Sequence, residues 1–187
     1  MKKERKTVLR ACILTMLMAM PVTGVWAAED YPLSGDKIGG EYHIEGRNNA
    51  IFFRQSRDVE AVDDVIISNT EAADGDTTND TTRSIIGATD GSNKVFTLDM
   101  KGHSLISGDY GSFVNLTEGK NNKIIVKNAK NIVSTSHLSN DIHATGTGHV
   151  ISLEAAEDIR LTREDTIEDK YPIIYWGGDN DLSLSAG

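Results

Sequence analysis

Two stretches of fourteen residues, KIIVKNAKNIVSTS (Lys123 to Ser136) and HVISLEAAEDIRLT (His149 to Thr162), share one form. Each has a short strand of alternating aliphatic residues, a polar insert with small residues in its middle, and a second alternating strand. Alternation with period two gives each strand one face for a core. The inserts KNAKN and EAAED suit a tight corner between two strands that keep the same face inward. PIIYWGGDNDLSLSA (Pro172 to Ala186) has a similar outline, with GGDND as its insert. Aligned on these corners, Val126, Leu153 and Trp176 are each followed six residues later by an aliphatic residue, Ile132, Ile159 and Leu182. Leu98 opens a similar unit with Leu105 seven residues on, across DMKGHS, and successive units are spaced by 28, 27 and 23 residues. One such unit cannot bury its apolar face alone, but stacked units form a continuous interior ladder, the defining condition of a solenoid. The expected fold is all-β, a right-handed parallel β-helix, with a Greek-key β-sandwich as the alternative.

The remainder of the chain is organised around that region. Residues 93–187 read as β-helix coils, with strand candidates VFTLDM, HSLIS, SFVNL, KIIVK, NIVSTS, HVISLE, DIRLT, PIIYW and DLSLS, and the coils are expected to continue past Gly187. Residues 58–92 read as an irregular transition in which the strand candidates VDDVIISN and RSIIGA flank the acidic, threonine-rich run TEAADGDTTNDTT, a surface loop by composition. Residues 28–57, with Pro32, Gly35 and Gly39-Gly40, are expected to be an irregular cap shielding the first strand edge. Helical periodicity is nearly absent; only EDTIEDKY suggests a helical turn.

Residues 1–27 stand apart. MKKERKTVLR is basic, the apolar run Ala11 to Met20 is too short to span a bilayer, and VWAA supplies small residues for a peptidase, the plan of a secretory signal peptide cleaved after Ala27, ahead of Ala28. Cys12 is the sole cysteine and lies in that leader, where the order of elements does not fit a lipoprotein signal. Residues 28–187 therefore have no disulfide, and their core must suffice alone. Losing five Lys/Arg and one Glu takes the formal charge from −9 to −13, a balance that disfavours nucleic acid and anionic membranes as partners.

With the leader, the acidic cysteine-free chain and coils such as KVFTLDMKGHSLIS, KIIVKNAKNIVSTS and HVISLEAAEDIRLT, the sequence resembles the N-terminal part of an autotransporter passenger, from the type V secretion family of Gram-negative surface proteins. The resemblance is one of pattern over nearly the whole chain, with no diagnostic motif. It implies a right-handed β-helix carried across the outer membrane by a translocation barrel, supplied by a missing C-terminal part or a separate chain. The segment departs from the family by lacking barrel-type strands. The implied role is a structural stalk or adhesive surface on the cell surface, extracellular, or periplasmic if the chain is complete. A host surface or polysaccharide is the implied partner. The rival function is a secreted polysaccharide-active β-helix lyase or hydrolase.

No residue set demands catalysis, a metal or a cofactor. There is no G-x-S-x-G elbow. Gly177, Gly178 and Asp181 partly match a calcium-binding nonapeptide, with a plain polar corner as the simpler reading. Asp63-Asp64 and Asp179 with Asp181 are acid pairs of the kind used in glycan cleavage, in a chain where acids are abundant. His43, His103, His137, His143 and His149 are expected to be surface imidazoles. Asn121-Asn122 and Asn140-Asp141 are expected to turn the chain at corners, where such residues can stack in a ladder. Tyr110, Tyr171, Tyr175 and Trp176 are the few aromatic platforms for a sugar.

Overall fold

The computed structural model describes residues 36–43, 51–53, 56–68, 84–88, 92–110, 112–116, 119–136, 142–163 and 174–187. All belong to one compact unit, Tyr31–Gly187. Every element among the described residues is a β-strand. In chain order these are β1 (Lys37–His43), β2 (Ile51–Phe53), β3 (Arg57–Ser68), β4 (Ser84–Ala88), β5 (Val95–Asp99) and β6 (Leu105–Tyr110). There follow β7 (Ser112–Leu116), β8 (Lys123–Ser136), β9 (Ile142–Ala144), β10 (Val150–Arg163), β11 (Ile174–Trp176) and β12 (Asp181–Ala186).

Every ladder among the described residues is parallel. One sheet runs β1-β3-β5-β8-β10-β12, with β6 between β3 and β8, and the other runs β11-β9-β7-β4-β2. The pairing of β8 explains the coil. Its first half pairs with β5 and its second half with β6, so β5, a corner and β6 together are the equivalent of one long bent strand. A coil thus consists of a first strand, a corner and a second strand in the larger sheet, followed by a third strand in the smaller one. Parallel strands stacked in this way form a β-solenoid, a parallel β-helix. The Greek-key sandwich is excluded, because it needs antiparallel neighbours.

Register places like residues on like. Val59, Leu98, Val126 and Leu153 are successive rungs of one inward ladder, and Phe96, Ile124 and Ile151 form a second. Val65, Leu105, Ile132 and Ile159 form a third, while Ile86, Val114 and Ile142 stack in the smaller sheet. Leu98, Leu105, Val126, Ile132 and Leu153 are all completely buried, and Met100, Ala129 and Ala155 are buried near the bend. Each buried large aliphatic stabilises the stack by about 1.5–3 kcal/mol through removal from water.

The third unit of the sequence alignment is out of register. Trp176 pairs with Ala144 in the smaller sheet, and Leu182 pairs with Ile151, not Ile159. The rung equivalent to Leu153 is Leu184, 31 residues on, so the expected spacing of 23 is replaced. PIIYWGGDNDLSLSA joins the third strand of one coil to the first strand of the next; its corner is a different corner that looks alike in one dimension. Ile159, Trp176 and Leu182 are only partly buried. Leu184 is 44% exposed because, among the described residues, β12 pairs on one side alone, with β10.

The ladder also begins earlier than the sequence suggested. Within the supposed cap, β1 pairs with β3 and β2 with β4. The residues Gly39-Gly40, turn formers placed in the irregular cap, instead form an irregularity in the strand: the register shifts between Ile38 and Gly40, and Gly40 has φ of 99°. A Cβ on Gly39 would come within 2.8 Å of the Asp63 backbone nitrogen, so the close approach of the two strands requires glycine. Within residues 58–92 the strand candidates VDDVIISN and RSIIGA correspond to the second half of β3 and to β4. The threonine-rich run and EDTIEDKY lie outside the described residues.

Candidate functional surface

Backbone groups at a corner leave the strand ladder and need other partners. At the corner that leads into each first strand, the stack supplies them from the next coil. Lys94, Asn122, His149 and Asn180 occupy equivalent positions, since Lys123 N–H donates to Lys94 O, Val150 N–H to Asn122 O and Asp181 N–H to His149 O. The side chains repeat this relation. Lys94 N–H donates to Asn122 Oδ1 at 3.0 Å, Asn122 N–H to His149 Nδ1 at 3.1 Å, and His149 N–H to Asn180 Oδ1 at 2.8 Å. The Asn121-Asn122 step thus has the stacked corner role expected of it. Outside this column Asn121 Nδ2 donates to Asn93 Oδ1 at 3.1 Å, and both residues have positive φ, 56° and 61°. Asparagine tolerates that conformation better than most residues. Asn140-Asp141 falls outside the described residues.

His149 corrects the expectation of surface imidazoles. Its residue is 0% exposed, whereas Asn122, one rung away, is 2% exposed. Because Nδ1 accepts a backbone N–H, the neutral ring carries its proton on Nε2. That Nε2 is buried without a hydrogen-bond partner, over Gly146, where an added Cβ would overlap it. Burial depresses the His149 pKa, opposed in part by the hydrogen bond to Asn122. Burial also depresses that of His143, on β9. His103 lies 3.9 Å from Asp64, with its side chain 36% exposed. The side chain of His43 and the whole of His137 lie outside the description.

The corner between first and second strands is built on charge. Asp99 Oδ1 accepts from Asn128 Nδ2 at 3.0 Å and from Lys101 N–H at 3.1 Å. The Asn128 hydrogen bond is the main cause that holds the Asp99 carboxyl down at about 2, with Lys101 adding to it. Lys101 Nζ is 3.2 Å from Glu60 and 3.1 Å from Asp99, and Lys127 is 3.7 Å from Asp99. Asn128 and Lys101 both adopt positive φ at the bend between the first and second strands.

The candidate acids are also engaged in turns. Asp63 Oδ1 accepts from Asp64 N–H, and Asp64 Oδ1 from Ser104 N–H at 2.7 Å. Asp179 and Asp181 meet the preceding coil through backbone bonds, and Gly177, Gly178 and Asn180 form the bend between β11 and β12. Trp176 Nε1 donates to Asn180 O at 3.1 Å, which fixes the ring at this corner. Among the described residues no group of three or more His, Cys, Asp or Glu is placed to hold a metal ion. Ala27 and Ala28 fall outside the described residues.

Between the two corners lies an outward strand face made of Val95, Thr97, Lys123, Ile125, Val150 and Ser152. In register, Lys123 lies between Val95 and Val150, and Ile125 between Thr97 and Ser152. The alternation of β8 made Lys123, Ile125 and Lys127 legible as outward positions; their neighbours became apparent only through the stacking register. No protein-family model, curated protein or solved structure matches the chain.

Proposed function

We propose that the chain is an exported passenger segment of the autotransporter type, acting as a structural stalk or adhesive surface and not as an enzyme. The observation that carries this reading is the stack itself. Successive coils present flat strand faces and hydrogen-bonded corners, an architecture that extends by one rung of about 4.8 Å per coil. Of the acids considered for catalysis, Asp63 and Asp64 use their carboxylates as acceptors for backbone N–H groups. A leader-like N-terminus and the absence of cysteine from residues 28–187 support export through a pore, where a disulfide loop would obstruct passage. A translocation barrel, in further sequence or on a separate chain, is the partner this reading requires.

Expression of the chain from its own start in a Gram-negative host tests the proposal. The expected product begins at Ala28 by mass spectrometry and, with its barrel partner, is cleaved by protease added to intact cells. Retention of residues 1–27 in the cytosol would overturn export. Release of reducing or unsaturated ends from acidic polysaccharides would overturn the non-enzymatic role.

A further inference from the structure

Charge is unevenly distributed along this acidic chain. Residues 94–140 hold six lysines, Lys94, Lys101, Lys120, Lys123, Lys127 and Lys130, against Asp99, Asp109 and Glu118. That segment is net +3, whereas the rest of residues 28–187 is net −16. The fold gathers the lysines onto two adjacent coils. Lys120 and Lys123 stand at one end of the first-strand face; Lys127 and Lys130 stand at its other end, with Lys101 beside them on the preceding coil.

From this strip we infer a binding surface for a linear anionic polysaccharide, deepening the adhesive reading above and resting on it. Lys123 and Lys127 point outward four residues apart, about 13 Å along the strand, and two rungs make the strip about 10 Å wide. Lys120, Lys123 and Lys130 are exposed and form no ion pair with the described residues. Between the lysines, Thr97 and Ser152 flank Ile125 in register, placing hydroxyls on either side of an aliphatic floor. Ammonium groups meet the sulfates or carboxylates of a glycan, hydroxyls bond its sugar hydroxyls, and Ile125 and Val150 contact its C–H faces.

The borders select a narrow ligand. Glu60 lies on the β3 side, and exposed Glu154, Glu157 and Asp158 lie on the β10 side. A duplex or a flat anionic bilayer extends beyond the strip onto these acids and is repelled. The strip has no aromatic platform, so single-stranded nucleic acid loses the stacking on which its binding relies.

The test measures binding of the exported chain to heparin and to polygalacturonate. Dextran, a thymidine oligonucleotide and phosphatidylglycerol vesicles serve as comparisons. Binding to at least one anionic glycan is expected at 50 mM salt, weakening about twentyfold by 200 mM, as for roughly three lysine contacts. The variant K120A/K123A/K130A is expected to bind at least about tenfold more weakly, and K120R/K123R/K130R to bind as the parent does. No binding to either glycan, an unchanged alanine variant, or tighter binding to the oligonucleotide or vesicles would overturn the inference. Surface exposure on cells is measured separately. Loss of binding with exposure intact rejects the ligand alone, and an internal location with binding intact rejects the surface role alone.

Discussion

Replacing His149 separates the work of its acceptor atom from that of its bulk. In His149→Ala the Asn122 N–H loses its acceptor while buried, a cost of about 1–3 kcal/mol. The vacated ring leaves a cavity in a fully buried site, and by analogy with other truncations this adds roughly 2 kcal/mol. The total is about 3–5 kcal/mol. His149→Asn should behave differently, because Asn122 and Asn180 already occupy the equivalent positions with Oδ1 as acceptor. It restores the bond to Asn122 and removes the unpartnered Nε2, so its stability should lie within about 1 kcal/mol of the parent. Urea unfolding followed by circular dichroism at pH 7.5 supplies both values. Equal losses in the two variants would refute the acceptor ladder, as would an alanine variant costing less than about 1 kcal/mol.

The same pair gives a pH signature. Burial holds folded His149 below the ordinary imidazole value, while the unfolded chain takes up its proton near 6.5. Between those values the unfolded state binds more protons, so stability is fully present above 6.5 and falls as pH is lowered toward the folded pKa. His143 acts in the same direction and persists in both proteins, so subtracting the His149→Asn curve from that of the parent isolates His149. A difference that does not change between pH 7.5 and 5 would contradict the burial of a neutral ring.

Two further substitutions probe the corners. Gly146→Ala puts a Cβ onto the His149 ring and within 2.9 Å of Gly119 O, so a loss of at least about 2 kcal/mol is expected in urea unfolding; His149→Asn should relieve only the ring part. Asn128→Ala forces alanine into φ of 54° at a cost of roughly 1–2 kcal/mol, whereas Asn128→Gly should cost less. Removing the Asn128 amide should also raise the Asp99 pKa from about 2 toward 3.8, read by carboxyl chemical shifts. The stability Asp99 supplies is present above 3.8 and lost as pH falls toward 2, and this acid window should narrow in both variants.

The legible parts of the fold were those with strands long enough to show alternation. Ile124 and Val126, then Ile151 and Leu153, announce their buried face in sequence, and their corners are small and polar. Strands β9 and β11 have three residues each, too few to establish a period. That brevity let Trp176 and Leu182 pass for parts of one coil. Gly39-Gly40 concealed β1 because a bulge and a close strand approach use the same residue as a turn. His149 was hidden for a deeper reason: a polar side chain facing inward violates the alternation rule, and only the backbone N–H of Asn122 on the preceding coil explains it. The lysines were visible one by one, but their gathering on two coils follows from stacking register.

Parallel, in-register stacking is the central claim, and disulfide trapping tests it most directly. Residues 28–187 contain no cysteine, so introduced thiols have no competitors. Ile125 pairs with Ser152, and Ser152 with Ser183, on successive rungs of the outward face. Neighbouring rungs are about 4.8 Å apart, within disulfide reach, whereas two rungs are about 10 Å apart and beyond it. Under mild oxidation I125C/S152C and S152C/S183C should form intramolecular disulfides in the folded chain, and I125C/S183C should not. Bridging of the 125–183 pair, or failure of both adjacent pairs, would contradict the stack.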